Sequence, residues 1–147
     1  MGRRALAELL LIVRLAGERV ALPASLVEAV VEVEAITPVP RAAPHVRGLA
    51  ALRSRVLTVI DGCAALGTGS IGGAAEAVII PCDGHSYVLL LDSVEDVIDS
   101  DGDRLPLRAP LSSHWARVAT HMVEAEGDLL LLVDPHALIA GPAAEAA

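Results

Sequence analysis

Slid against itself by 67 residues, the sequence sets Gly17 on Gly84, Leu22 on Leu89 and Val27-Glu28-Ala29-Val30 on Val94-Glu95-Asp96-Val97. A fixed offset of this kind marks an internal duplication, which restricts the fold to architectures made of two similar modules. The two halves also end alike. Val56-Leu57-Thr58-Val59-Ile60-Asp61 precedes Cys63-Ala64-Ala65-Leu66, and Leu129 to Val133 with Asp134 precedes His136-Ala137-Leu138-Ile139. Both read as a strand, an Asp cap that accepts the free amides of the next turn, and a short helix, with Pro135 at a first helical position that needs no donor. The offset here is 73, so insertions separate the copies.

Short apolar runs alternate with turn signals, and no amphipathic pattern lasts the ten to twelve residues of an ordinary helix, so the chain reads as mostly β. Leu9 to Leu15 and Arg19 to Leu22 flank Ala16-Gly17-Glu18, while Ala77 to Cys82 and Ser86 to Leu91 flank Asp83-Gly84, a dipeptide that accepts the positive φ angles of tight hairpins. Phe is absent and Tyr87 and Trp115 are the only aromatic residues, so a core must be built from Val, Leu, Ile and Ala. About five short strands per half are satisfied more easily by two small closed barrels than by one open sheet, because closure hides strand edges. The expected layout is a single domain over residues 7–140: a first barrel over 7–66, a Gly-rich link over 67–75, a second barrel over 76–133 and a closing helix over 134–140.

The 147 residues carry 11 basic and 19 acidic side chains, a balance that argues against sequence-independent binding to nucleic acid. Glu8 interrupts the apolar stretch after Met1-Gly2-Arg3-Arg4, and no small-residue cleavage site follows, so this start reads as leading into the first strand rather than as a signal peptide. Strongly apolar runs such as Leu9 to Val13 and Leu129 to Val133 fall far short of the ~20 residues of a membrane span, and no insertion into a membrane is expected. Cys63 and Cys82 lack a CxxC spacing and read as buried, reduced thiols of a cytoplasmic protein.

Gly67-Thr68-Gly69-Ser70-Ile71-Gly72 matches G-x-G-x-x-G, but a dinucleotide site needs those glycines between a strand and a helix, and here a short helix precedes them and a strand follows. Asp99-Ser100-Asp101-Gly102-Asp103 resembles the opening of a calcium loop. Its glycine comes two positions early, however, and Pro110 stands where the closing Glu belongs, so a solvated turn is expected. His45, His85, His114, His121 and His136 lack metal-ligand spacing, and most of them read as surface or capping residues. Ser112-Ser113-His114 lacks a nucleophile elbow or an oxyanion loop. No cofactor, metal site or catalytic residue is expected.

The stretch from Thr37 to Asp61 is more unusual. Pro38, Pro40 and Pro44 fix an extended crossing, and Arg41, Arg47, Arg53 and Arg55 give an acidic chain one local positive face. Arg53 and Arg55 share a strand parity, which directs them out of the core beside apolar neighbours. At this point the residues resemble the CheW family, the coupling proteins of bacterial chemosensory pathways. The resemblance rests on Pro38-Val39-Pro40, Pro44, Val46, Gly48, Leu52-Arg53 and Val56 to Asp61, then Leu90-Leu91-Asp92-Ser93-Val94-Glu95-Asp96-Val97, then Leu129 to Ile139. It covers about residues 7 to 140. Ala51, Ser54 and Thr58 depart from the family's Asn, Gly and Pro.

The resemblance implies a mainly β fold of two five-stranded, SH3-like β barrels packed side by side with short helices, and no catalysis. It also implies an adaptor in the cytoplasm at membrane receptor arrays, bridging chemoreceptor cytoplasmic tips to the regulatory domain of the histidine kinase CheA. Carried over residue by residue, the receptor groove comprises Val27, Gly48, Leu49, Leu52, Arg53 and Val56, with the kinase contacts unassigned. Two alternatives stand beside it: a kinase-binding competitor that has lost receptor coupling through its Ala51 and Ser54 region, and a small nucleotide- or metal-dependent enzyme.

Overall fold

The computed structural model describes residues 7–72, 75–108 and 110–142. Gly73 and Ala74 of the expected link, and the first residues of the chain, lie outside that set. In chain order come β1 (Leu9–Leu15), β2 (Glu18–Pro23), a 3₁₀ turn (Ala24–Leu26), β3 (Ala29–Val33), β4 (Val46–Leu52), β5 (Arg55–Asp61) and α1 (Gly62–Leu66). There follow β6 (Ala75–Cys82), β7 (His85–Leu91), β8 (Ser93–Asp99), α2 (Ser113–Ala116), β9 (Ala119–Ala125), β10 (Asp128–Val133) and α3 (Pro135–Ala140). The Asp caps form as read from the sequence. Asp61 accepts from the Ala64 amide and Asp134 from the His136 amide, with Pro135 in the first turn of α3.

The strands make two five-stranded sheets, ordered β8-β1-β2-β10-β9 and β3-β6-β7-β5-β4. This corrects the expected barrel boundaries, because neither sheet is made from one half of the chain. The β1–β2 hairpin joins the last three strands, and the β6–β7 hairpin joins β3, β4 and β5. Duplication explains the exchange: the two hairpins match at the 67-residue offset, so each fits the other's place. Each sheet then curls to meet itself. Beyond β3, Thr37 exchanges backbone hydrogen bonds of 2.8 Å with Leu49 of β4. Beyond β8, Leu105 does the same with Met122 of β9, also at 2.8 Å.

The exchanged hairpins occupy the middle of the molecule. One face of β1 and β2 (Leu10, Ile12, Ala21) packs with Val123, Ala125, Leu130 and Leu132 inside their own sheet. The other face (Leu11, Val13, Leu15, Val20, Leu22) joins the larger core with Val78, Ile80, Leu89 and Leu91 of β6 and β7. Strands buried on both sides need no polar alternation, which is why these segments read as continuous apolar runs.

Across the middle, side chains of the second half hold the helix ends. Arg117 donates to the carbonyl oxygens of Ala65 in α1 and of Ala137 and Gly141 at the end of α3. His114 Nδ1 lies 3.0 Å from the Leu66 carbonyl. His45 takes the capping role rather than the surface one. It is buried, and its Nε2 lies 2.9 Å from the Ile139 carbonyl, tying the approach to β4 to α3. Cys63 is buried and burial pushes its thiol pKa up, whereas Cys82, at the end of β6, is only half-buried.

Candidate docking clefts

The β4–β5 hairpin carries most of the residues expected at a binding groove. Gly48 is fixed by closure of the sheet, since a Cβ there would overlap the Thr37 carbonyl. Beyond it the pairs Gly48↔Val59 and Ala50↔Leu57 face the core, and Leu49↔Thr58 and Ala51↔Val56 face outward. Val56 is 68% exposed, a large apolar side chain left in water at the end of a strand. Leu49 and Val56 are therefore brought together on one outer strip. Leu52 and Val27 instead pack partly against the core from behind.

Arg53 corrects the parity argument. Leu52 pairs with Arg55, leaving Arg53 and Ser54 as a two-residue turn with φ of 50° and 67°. Arg53 thus projects from a hairpin tip rather than from a strand face. Positive φ at both central residues is the conformation that matches the twist of a hairpin. Three other such turns occur among the described residues, Ala16-Gly17, Asp83-Gly84 and Glu126-Gly127, and each ends in Gly.

The expected four-cation face is also reduced. Arg47 turns inward and donates to Asp61 Oδ2 at 2.5 Å and to the Ile71 carbonyl. Arg55 reaches the mouth of the sheet and pairs with Glu28 at 2.8 Å. Arg41 and Arg53 remain exposed, with no ion-pair partner among the described residues.

Beside Val56 lies a cleft of about 500 Å³ lined by Arg55, Val56, Leu57, Gly84, His85 and Tyr87 among others. It arises because β5 and β7 pair in parallel only from Thr58↔Tyr87 onward, so their first residues diverge. The same construction recurs on the other sheet. There β2 and β10 pair in parallel at Leu132↔Ala21, and ahead of that point Glu18 to Val20 and Leu129 to Leu131 line a cleft of about 280 Å³ with Met122 and Trp115. Leu129 stands 73 residues after Val56 and is 57% exposed. Glu95 stands 67 residues after Glu28, and each pairs with an arginine that lines its cleft, Arg19 and Arg55 respectively. Glu95 accepts from Arg14 at 2.7 Å and Arg19 at 2.9 Å, and the Arg19 hydrogen bond is the main cause that holds its carboxyl pKa low. Each cleft contains one of the chain's two aromatic residues. Comparing the repeats could have revealed the second cleft, because Leu129 follows from Val56 by the offset.

The stretches with borrowed chemical signatures are structural. Gly67 is the left-handed cap of α1, and the Ile71 amide donates to Asp61 at 2.9 Å, so the Gly-rich segment is a pinned link between a helix and a strand. Ser100 is buried, and its hydroxyl accepts from the Glu8 amide at 2.9 Å and donates to the Gly102 carbonyl at 2.9 Å, which organises the acidic turn from inside. No group of three or more His, Cys, Asp or Glu side chains among the described residues could hold a metal ion. No helix among them is long and apolar enough to cross a membrane.

A family model for the CheW-like domain matches residues 9–143. The chain belongs to the CheW-like domain family. Members of this family are non-enzymatic chemotaxis scaffolds that couple receptors to the kinase CheA. The chemotaxis protein CheW of Rhizobium meliloti (strain 1021) is 32% identical over 114 residues, which span 76% of this chain and 74% of that protein. The crystal structure of the scaffolding protein TtCheW from Thermoanaerobacter tengcongensis superposes with a TM-score of 0.74 at 22% identity, over 87% of this chain and 89% of that one. That likeness concerns the fold.

Proposed function

We propose that the chain is a cytoplasmic adaptor at membrane receptor arrays, docking a chemoreceptor tip at the Val56 cleft and the regulatory domain of a CheA-type kinase at the Leu129 cleft. The observation that carries this reading is the pair of matching clefts, one per sheet, each with an exposed aliphatic side chain, an aromatic wall and a lining arginine. A coupling protein needs two surfaces that can be occupied together, and aromatic side chains are frequent anchors of such surfaces. On the receptor side Leu49 and Val56 would meet the apolar stripe of a helix, with Arg53 at the tip pairing a carboxylate. Gly48, Leu52 and Val27 would support the strip from behind.

Reversible interfaces of modest size suit this task, because a scaffold passes on a receptor's state only through contacts that differ between states. The competitor reading rests on Ala51 and Ser54. The hairpin keeps its two-residue turn despite Ser54, which favours coupling over competition.

Titration with a receptor-tip fragment and, separately, with a kinase regulatory domain tests the assignment. Val56→Glu should weaken receptor binding at least about tenfold, or about 1.4 kcal/mol, and leave kinase binding intact. Leu129→Glu should do the reverse. Arg53→Glu should weaken receptor binding to a similar degree without loss of fold. Unchanged receptor affinity in both Val56→Glu and Arg53→Glu would remove the receptor assignment.

A further inference from the structure

The exchanged hairpins lead to a conclusion independent of the docking assignment. The pairings β1–β8, β2–β10, β3–β6 and β5–β7 each join a strand of one half of the chain to a strand of the other. Each half contributes only local hairpins of its own, β1–β2 and β4–β5 before the link, β6–β7 and β9–β10 after it. Neither half can complete a sheet alone. The molecule is in effect a complex of two complementary halves tethered by the segment after α1, and nothing in the paired strands requires both halves to come from one chain.

We propose that a second copy of this chain can supply the missing half, giving a reciprocally exchanged dimer in which every strand pairing is kept and only the link changes course. Two features of the link decide between the forms. A short tether holds its own partner half at an effective concentration of order millimolar, so the closed monomer prevails in dilute solution. The link is also held shut. Ile71 is buried, its amide donates to Asp61 Oδ2, and Arg47 bridges Asp61 to the Ile71 carbonyl. Arg47 therefore acts as a latch on the monomer, and loosening a hinge segment is the usual route to segment exchange.

The test uses the full chain with a cleavage site for a sequence-specific protease placed between Gly69 and Ser70. The unfolded protein is refolded at near-millimolar and at about a hundredfold lower concentration, and its mass is followed by size exclusion with light scattering. A dimer is expected from the concentrated arm. Cleavage of the link should halve its mass, with both fragments still co-eluting, because only the two links hold an exchanged pair together. Arg47→Met should raise the dimer share about threefold or more, as expected for a loosened hinge. Absence of a dimer from both the parent and Arg47→Met in the concentrated arm overturns the proposal. So does a dimer that keeps its mass after cleavage, which is an ordinary surface dimer, and so does a cleaved chain whose fragments separate.

Discussion

Replacing Ser54 by glycine isolates one backbone term. Ser54 sits at φ 67° in an exposed turn, while the equivalent positions Gly17, Gly84 and Gly127 have φ of 80°, 81° and 84°. A side chain in the left-handed region costs about 1–2 kcal/mol, because its Cβ crowds the following carbonyl. Glycine relieves that crowding but gives up about 0.5–1 kcal/mol of extra backbone freedom on folding. No hydrogen bond or ion pair involves the Ser54 side chain among the described residues, so the difference stands almost alone. Ser54→Gly should stabilise the protein by about 0.5–1 kcal/mol and raise the melting temperature by roughly 1–4 °C for a chain of this size. Differential scanning calorimetry and urea unfolding with an unchanged m-value would measure it. Gly127→Ser, the reciprocal change in the matching turn, should lower stability by a similar amount. A neutral or destabilising Ser54→Gly would show that the turn is not strained and that the comparison among the four hairpins is misplaced.

Arg117→Met keeps much of the side chain's bulk and removes its bonds to the ends of α1 and α3. It should cost about 2 kcal/mol, read as a lower urea midpoint. The hydrogen bond from Arg104, ahead of its charge, holds the Glu8 carboxyl below its ordinary pKa. A depressed folded-state value means the pair's contribution is complete above the ordinary carboxylate range and is lost as pH falls through the lower folded value. Arg104→Gln should therefore lower stability near neutral pH by less than about 1 kcal/mol, since Arg104 is 40% exposed, and have no effect in acid. Urea midpoints of both proteins across a pH series check this, and a difference that persists in acid counts against the ion pair as its source.

Much of the fold can be read in the sequence because the signals are local. Asp61 and Asp134 cap their helices with side chains two or three residues from the amides they bind, and Asp83-Gly84 folds a turn from its own φ preferences. The allocation of hairpins to sheets is not local. The β1–β2 and β6–β7 hairpins carry the same pattern, so no short-range feature says which sheet each one completes. For the clefts, the grouping of Leu49 with Val56 rests on the family resemblance and not on strand alternation, which sets Val56 on the face opposite Arg53 and Arg55. Alternation misplaces Arg53, because a two-residue turn interrupts the strand and resets which side the next residue faces. The inward course of Arg47 depends on Asp61 and Ile71, fourteen and twenty-four residues along the chain, and no neighbouring residue announces it.

The interleaving of the two halves also has a mechanical consequence. No plane passes between the clefts without cutting backbone ladders or the apolar layer where β1 and β2 meet β6 and β7. Force applied by a partner at one end is then carried to the other through those ladders and the shared apolar layer rather than through a single linker.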